Sequence, residues 1–92
     1  DWVRYYPLEG YNNTYYIDHL PYDIRKPGTY ILTKNFTYEN NETPIEIYVN
    51  DVIIDGNGNT LEGNILSSAI YSNTQRNITI KNINLKNWDK GI

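Results

Sequence analysis

Apolar residues along this chain recur mostly at every second position, in short runs broken by Asn and Gly. They do not recur at i, i+3 and i+4 over any long window, so the pattern predicts no helix. From residue 27 onward the order is short strand, turn, short strand. The alternation therefore predicts an all-β chain of short, half-buried strands.

The strand pattern also repeats. Residues 45–56 align with residues 70–82 after one inserted residue. The apolar pairs in this alignment are Ile45 with Ile70, Val52 with Ile78, and Ile54 with Ile80. A repeat of roughly two dozen residues built only of strands and turns favours a β-solenoid, because a leucine-rich repeat would show regularly spaced Leu and a helical half.

In such a solenoid, equivalent strands stack in parallel about 4.8 Å apart, and alternate side chains point inward. We expect a core stack of Val52, Ile54, Ile78 and Ile80, with Leu61, Ile83 and Leu85 also facing inward. The segment 55–59, DGNGN, suits a corner because Gly and Asn tolerate left-handed backbone conformations. Asp-Gly would also suit an antiparallel hairpin, but a hairpin does not explain the repeat.

Residues 1–26 differ from the rest of the chain, being Tyr-rich and irregular, with Pro7 and Pro21. We interpret them as an N-terminal cap or docking segment. Residues 27–92 are the predicted coils, and we expect their C-terminal end to be uncapped, because the repeat is still running at Gly91-Ile92.

The predicted corner and strand residues resemble a known family. Residues 50–61, NDVIIDGNGNTL, are similar to the N-V-T-I-D-G-N-G-x-T-I segment of parallel β-helix repeat proteins, and residues 76–83, RNITIKNI, to the N-I-T-I-K-N-L segment of the next coil. Residues 27–32, PGTYIL, look like the strand that precedes them. The group includes pectate-lyase-like enzymes, the carbohydrate-binding and sugar-hydrolase repeat domain, the copper-accessory protein NosD and archaeal surface proteins.

The resemblance covers about residues 27–92 and implies a fold rather than a function. The implied fold is a right-handed single-stranded parallel β-helix, here of about two to three turns, preceded by the Tyr-rich segment. The shared motifs are corner and core residues, so they carry no chemistry.

Composition limits the classes of partner and site that the chain can be expected to have. The net charge is −3 and basic residues are scattered, which argues against nucleic acid. The chain has no Cys, so it has neither disulfides nor a thiolate metal site. No apolar run is long enough for a membrane span. Four Asn-x-Ser/Thr sequons, at Asn12, Asn35, Asn41 and Asn77, favour a secreted, glycosylated, cell-surface protein.

The titratable residues predict no catalytic, cofactor or metal site. Glycoside hydrolysis needs two nearby carboxyl groups, whereas Asp51 and Asp55 flank one strand and lie roughly 13 Å apart along it. Asp55 has a sufficient role as a turn former, and Glu62 and Asp89 are the other acids available for chemistry. A calcium site at Asp51 or Asp55 stays open. His19 stands alone, without the second ligand that a transition metal needs.

The aromatic residues of the first segment are the predicted interface. The candidates are Trp2, Tyr5, Tyr6, Tyr15 and Tyr16. Tyr and Trp are enriched at protein interfaces, and they also stack on sugar rings. We favour packing, against the first coil or a neighbouring subunit, over sugar binding.

These features together predict a non-catalytic structural or adhesive component of an extracellular assembly. We expect its partner to be either another copy of the chain, stacked coil on coil into a filament, or the remainder of a longer chain. Two alternatives stay open. One is the N-terminal fragment of a carbohydrate-active β-helix enzyme, and the other is a module that binds polysaccharide.

Overall fold

The computed structural model describes residues 13–65 and 67–90. This part of the chain is all-β and contains no helix, so no helix in it could cross a membrane. Its ten strands are β1 (Thr14–Ile17), β2 (Tyr22–Ile24), β3 (Gly28–Leu32), β4 (Phe36–Thr37), β5 (Ile45–Ile47), β6 (Val52–Asp55), β7 (Thr60–Glu62), β8 (Ile70–Ser72), β9 (Ile78–Lys81) and β10 (Asn84–Lys86).

The strands form three parallel sheets. Sheet A has the order β1-β3-β6-β9, sheet B the order β2-β5-β8, and sheet C the order β4-β7-β10. From β3 onward the chain visits sheets A, C and B in turn, and each visit adds the next strand of that sheet. We call one such passage a coil. The Asp55-Gly56 corner thus connects strands of two different sheets, which rules out the hairpin alternative.

The register keeps like residues in columns. Val52 lies opposite Ile78, and Ile54 lies opposite Ile80, across the β6–β9 pair. Ile45 lies opposite Ile70 in sheet B, and Leu85 opposite Leu61 in sheet C.

Aliphatic side chains fill the space between the sheets. The fully buried ones are Ile17, Ile24, Leu32, Ile45, Val52, Ile54, Leu61, Ala69 and Ile70. Ile78 and Ile80 pack against this core but stay half-buried, because β9 is an edge strand of sheet A among the described residues. No polar or charged side chain is buried in the described part of the chain.

Residues 13–26 contribute more regular structure than their sequence indicates. Strand β1 pairs with β3, and β2 pairs with β5, so both belong to the same sheets as the predicted coils. The repeat did not reveal them because Thr14 lies opposite Thr29, a much shorter interval than between later coils. This first passage has strands in sheets A and B but none in sheet C.

Two inward Tyr side chains of this shorter passage, Tyr15 and Tyr22, pack against Tyr30 of β3. The ring of Tyr15 stacks on that of Tyr30 with centroids 4.8 Å apart, and Tyr22 meets Tyr30 edge-on at 5.8 Å. Tyr30 is buried, and its hydroxyl donates a hydrogen bond of 2.8 Å to the carbonyl oxygen of Lys26. At these positions aromatic rings take the place of the aliphatic side chains of later coils, beside the fully buried Ile17 and Ile24.

Candidate binding face and polar corners

Three of the four acids considered for catalysis act as hydrogen-bond acceptors between coils. Asn77 donates to Asp51 at 2.9 Å, Asn82 donates to Asp55 at 3.2 Å, and Asn87 donates to Glu62 at 3.0 Å. In each pair the Asn comes one coil after the acid. All three Asn residues have positive φ, near 60°, which is the conformation that these corners need.

Asp55 has a further local role. Its carboxylate accepts a hydrogen bond of 2.8 Å from the backbone N–H of Asn57, and this bond, with that from Asn82, holds the pKa of Asp55 below its usual value. Such a carboxylate stays ionised, unlike the raised-pKa carboxyl of a general acid. Within residues 13–65 and 67–90, no three His, Asp or Glu side chains are placed to hold one metal ion.

His19 lies at the surface of the first passage. Its Nδ1 is 2.8 Å from the carboxylate of Asp18, and its ring is tilted against Tyr22 at 5.4 Å. The hydrogen bond from His19 lowers the pKa of Asp18.

The predicted interface residues separate in the structure. Tyr15 turns inward and stacks on Tyr30, whereas Tyr16 is 62% exposed on the outside of β1, because alternate strand residues face opposite sides. Trp2, Tyr5 and Tyr6 lie outside the described residues.

The sequons also differ in their surroundings. Asn35 and Asn77 are exposed but hydrogen-bonded to the neighbouring coil, through Thr60 N–H and Asp51 respectively. Asn41 is exposed in the connection between β4 and β5. Asn12 lies outside the described residues.

The outer face of sheet B brings together aromatic and charged side chains that the sequence analysis did not single out. Asp23, Glu46 and Tyr71 form one column across β2, β5 and β8. Tyr48 follows β5 on the same side, 44% exposed, and Tyr71 is 50% exposed. We call Asp23, Arg25, Glu46, Tyr48 and Tyr71 the Tyr48–Tyr71 face.

Contacts within this face hold the Tyr48 side chain in place. The guanidinium carbon of Arg25 lies 4.3 Å from the Tyr48 ring centroid, and Arg25 approaches Asp23 at 3.6 Å. The Tyr48 hydroxyl donates to the carboxylate of Glu46, and this bond raises the pKa of Tyr48. Tyr71 is half-exposed, and none of these three contacts involves it.

An open groove of about 660 Å³ adjoins the face at the corner between sheets B and A. Tyr48 forms one side, and Asn50, Thr74, Gln75 and Arg76 supply polar groups around it. The groove thus places one aromatic ring beside several hydrogen-bond donors and acceptors.

The repeat alignment contained the signal for this face. Pairing Ile45 with Ile70 already sets Glu46 beside Tyr71, and alternation sets Tyr48 on the same side as Glu46. Asp51 and Asp55, by contrast, lie beside β6 in the recurring corner motif, and no such motif marks Glu46 or Tyr71.

Comparison of the chain with protein-family models, with curated proteins and with solved structures found no match.

Proposed function

We propose that the chain is part of a right-handed single-stranded parallel β-helix with a non-catalytic, structural role in an extracellular or cell-surface assembly. The observation that carries the proposal is the register of the three parallel sheets, in which each coil lays its aliphatic side chains on those of the coil before.

The corners support the same role. Each coil is joined to the next by backbone hydrogen bonds and by Asn side chains, such as those of Asn77 and Asn82. A stack whose coils are joined both at the strands and at the corners suits a spacer or rod at a cell surface.

Self-association by coil-on-coil stacking is the form of assembly that we propose. Among the described residues, β8, β9 and β10 each have a strand neighbour on one side only, and the core residues Ile78 and Ile80 stay half-buried there. An open sheet edge over apolar side chains is a template for a further coil.

Sedimentation velocity and electron microscopy of the purified chain test this assembly. We expect concentration-dependent oligomers or filaments, which the substitution Ile80→Lys reduces and the outward substitution Thr79→Lys leaves intact. A monodisperse monomer at all concentrations would contradict self-association. Surface labelling and protease shaving of source cells test the proposed location separately.

The Tyr48–Tyr71 face favours a second candidate function, the binding of polysaccharide. Tyr71 offers an open ring for stacking on a sugar, the groove beside Tyr48 offers hydrogen-bonding groups, and the carboxylates of Asp23 and Glu46 accept hydrogen bonds from hydroxyl groups.

Calorimetric titration with soluble neutral polysaccharides tests this candidate. Binding that is lost in Tyr71→Ala but kept in Tyr16→Ala supports it, because Tyr16 is at least as exposed as Tyr71 but lies on sheet A. Equal loss in both variants, or no binding to any polysaccharide, would exclude the face as a glycan site.

A further inference from the structure

We propose that Asn57 is a deamidation site that the neighbouring coil keeps closed, so that loss of its side-chain amide marks a separation of two coils. Asn57 is the only Asn of the chain that is followed by Gly. Glycine has no side chain to obstruct the attack of its own nitrogen on the residue before it, so an Asn-Gly pair in an open chain is prone to this reaction. The inference concerns the chemistry of the chain itself and does not depend on the assembly or the location proposed above.

The reaction converts the side-chain amide to a carboxyl group in two steps. The backbone nitrogen of Gly58 loses its proton to a base in the solvent and forms a bond to Cγ of Asn57, while the bond from Cγ to Nδ2 breaks and Nδ2 leaves as ammonia with a proton from the solvent. Water then opens the resulting five-membered imide at either carbonyl carbon. One opening leaves aspartate at position 57, and the other leaves isoaspartate, in which the main chain is one carbon longer.

The turn around Asn57 holds the backbone in a conformation that does not react. Asn59 N–H donates a hydrogen bond of 2.9 Å to the carbonyl oxygen of Gly56 and closes the turn. Asn57 and Gly58 have φ of 55° and 79°, as the two central residues of a type I′ turn do. The imide ring contains the Cα–C bond of Asn57, so it closes only after this bond has rotated and brought the Gly58 nitrogen over the side chain. That rotation breaks the turn.

The neighbouring coil also holds the attacking nitrogen directly. Gly58 N–H donates a hydrogen bond of 2.8 Å to the carbonyl oxygen of Asn82, which lies between β9 and β10, and Gly56 N–H donates one of 2.9 Å to that of Lys81. The Gly58 nitrogen therefore keeps its proton and its orientation for as long as the coil of β9 and β10 stays in place. Because the side chain of Asn57 is exposed, this contact limits the reaction and burial does not.

Isoaspartate at position 57 would prevent the two coils from rejoining. The four successive N–H groups of residues 56–59 all have acceptors, which are the carbonyl oxygens of Lys81, Asn82 and Gly56 and the carboxylate of Asp55. An additional main-chain carbon at position 57 displaces the later donors from these acceptors. A separation of the coils that lasts long enough for the reaction thus becomes permanent.

Incubation of the full chain in mildly alkaline buffer tests the proposal, with intact-mass measurement and peptide mapping that detects isoaspartate. The same chain unfolded in urea gives the rate of the open site. We expect deamidation of Asn57 to be at least about tenfold slower in the folded chain, because the reaction requires an opening that costs free energy. Hydrogen exchange followed by nuclear magnetic resonance should find the Gly58 amide protected in the folded chain.

Two substitutions at Asn82 form a matched pair. Asn82 has a φ of 56°, which Gly adopts readily and a β-branched residue does not. Asn82→Val should displace the carbonyl oxygen that holds Gly58 and should speed deamidation several-fold. Asn82→Gly keeps the backbone and loses only the side-chain bond to Asp55, so its rate should stay near that of the native chain.

Ile83→Ala is a second loosening variant, used if circular dichroism shows that Asn82→Val does not fold. Ile83 packs at the same corner, directly against Gly56. Equal deamidation rates in the folded and the urea-unfolded chain would overturn the proposal. An unchanged rate in a folded loosening variant whose Gly58 amide has lost its protection would also overturn it, because the neighbouring coil would then have no part in closing the site.

Discussion

The indole ring of Trp88 lies directly against Gly63. Gly63 follows strand β7, and Trp88 follows the neighbouring strand β10 of sheet C. Its Nε1 donates a hydrogen bond of 2.9 Å to the carbonyl oxygen of Leu61, which fixes the ring across the preceding coil. A Cβ built on Gly63 would stand 2.6 Å from ring atom Cε3 of Trp88, closer than real carbon contacts allow. Position 63 therefore requires glycine, because the Trp88 ring leaves no space for a side chain.

Substitution of Gly63 by Ala should destabilise the fold by about 1–3 kcal/mol, because an added methyl group in a filled contact forces the ring or the backbone to move. Urea unfolding followed by circular dichroism measures the change. The double variant Gly63→Ala/Trp88→Ala is the control, since truncation of the ring makes room for the methyl group. We expect the Ala at position 63 to cause little further loss in that background, and additive losses would refute the steric explanation.

Side chains that repeat could be placed from the sequence, and those that occur once could not. Val52 and Ile78 were aligned because alternation and Asn-rich corners recur in successive coils, and the structure sets them opposite each other. The contact of Trp88 with Gly63 occurs once, so no period points to it. The Tyr48–Tyr71 face depends on which acids and aromatics share the outside of one sheet, and outward positions are not constrained to repeat.

Strands β1 and β2 of the first passage were not predicted from the sequence, for a different reason. Two of its inward side chains, Tyr15 and Tyr22, pack on Tyr30 of β3 beside the aliphatic Ile17 and Ile24, and it lacks a strand in sheet C. Tyr is common on outer faces and at interfaces, so an inward Tyr carries no pattern that marks it as core. Only strand pairing, as between β1 and β3, reveals the direction of these side chains.

The column of Ile54 and Ile80 predicts graded effects of small deletions. Ile54 is fully buried, Ile80 is half-buried in an edge strand, and Ile53 faces outward. Ile54→Val should lower the free energy of unfolding by about 0.5–1.5 kcal/mol, Ile80→Val by less, and Ile53→Val by close to zero. Urea titration of the three variants compares them, and an equal loss in all three would argue against the inward column.

The pair formed by Asp55 and Asn82 predicts an effect of charge at a corner. Asn82→Asp places two carboxylates in contact and should lower stability at neutral pH by about 1 kcal/mol or less, since the pair is near the surface. The deficit should shrink as pH falls, because protonation of one carboxyl group removes the repulsion. Thermal unfolding at several pH values measures it.

The exchanged variant Asp55→Asn/Asn82→Asp is the control for that result. It restores one acid and one amide, so most of the lost stability should return. If the exchanged variant is no more stable than Asn82→Asp, the hydrogen bond between the two side chains matters less than the local turn at Asp55.

The native pair has its own acid dependence. The pKa of Asp55 is lowered in the folded state, so the unfolded chain binds its proton first as pH falls. The stability that Asp55 contributes is therefore present above its ordinary pKa of 3.8 and is lost as pH falls through the folded value. The single variant Asp55→Asn should lack this part of the acid-side loss when stability is followed below pH 5.

Tyr30 predicts an alkaline limit to stability. Burial raises its pKa from 10.0 to about 12, so between these values the unfolded chain loses a proton that the folded chain retains. Stability should be unaffected below the unfolded pKa and should fall as pH rises toward about 12. Tyr30→Phe removes this dependence but also the bond to Lys26, which lowers stability at neutral pH by about 1 kcal/mol. Urea unfolding across the alkaline range separates the two effects, with substitution of the exposed Tyr71 by Phe as the control. If Tyr30→Phe still loses stability steeply at alkaline pH, the group responsible lies elsewhere.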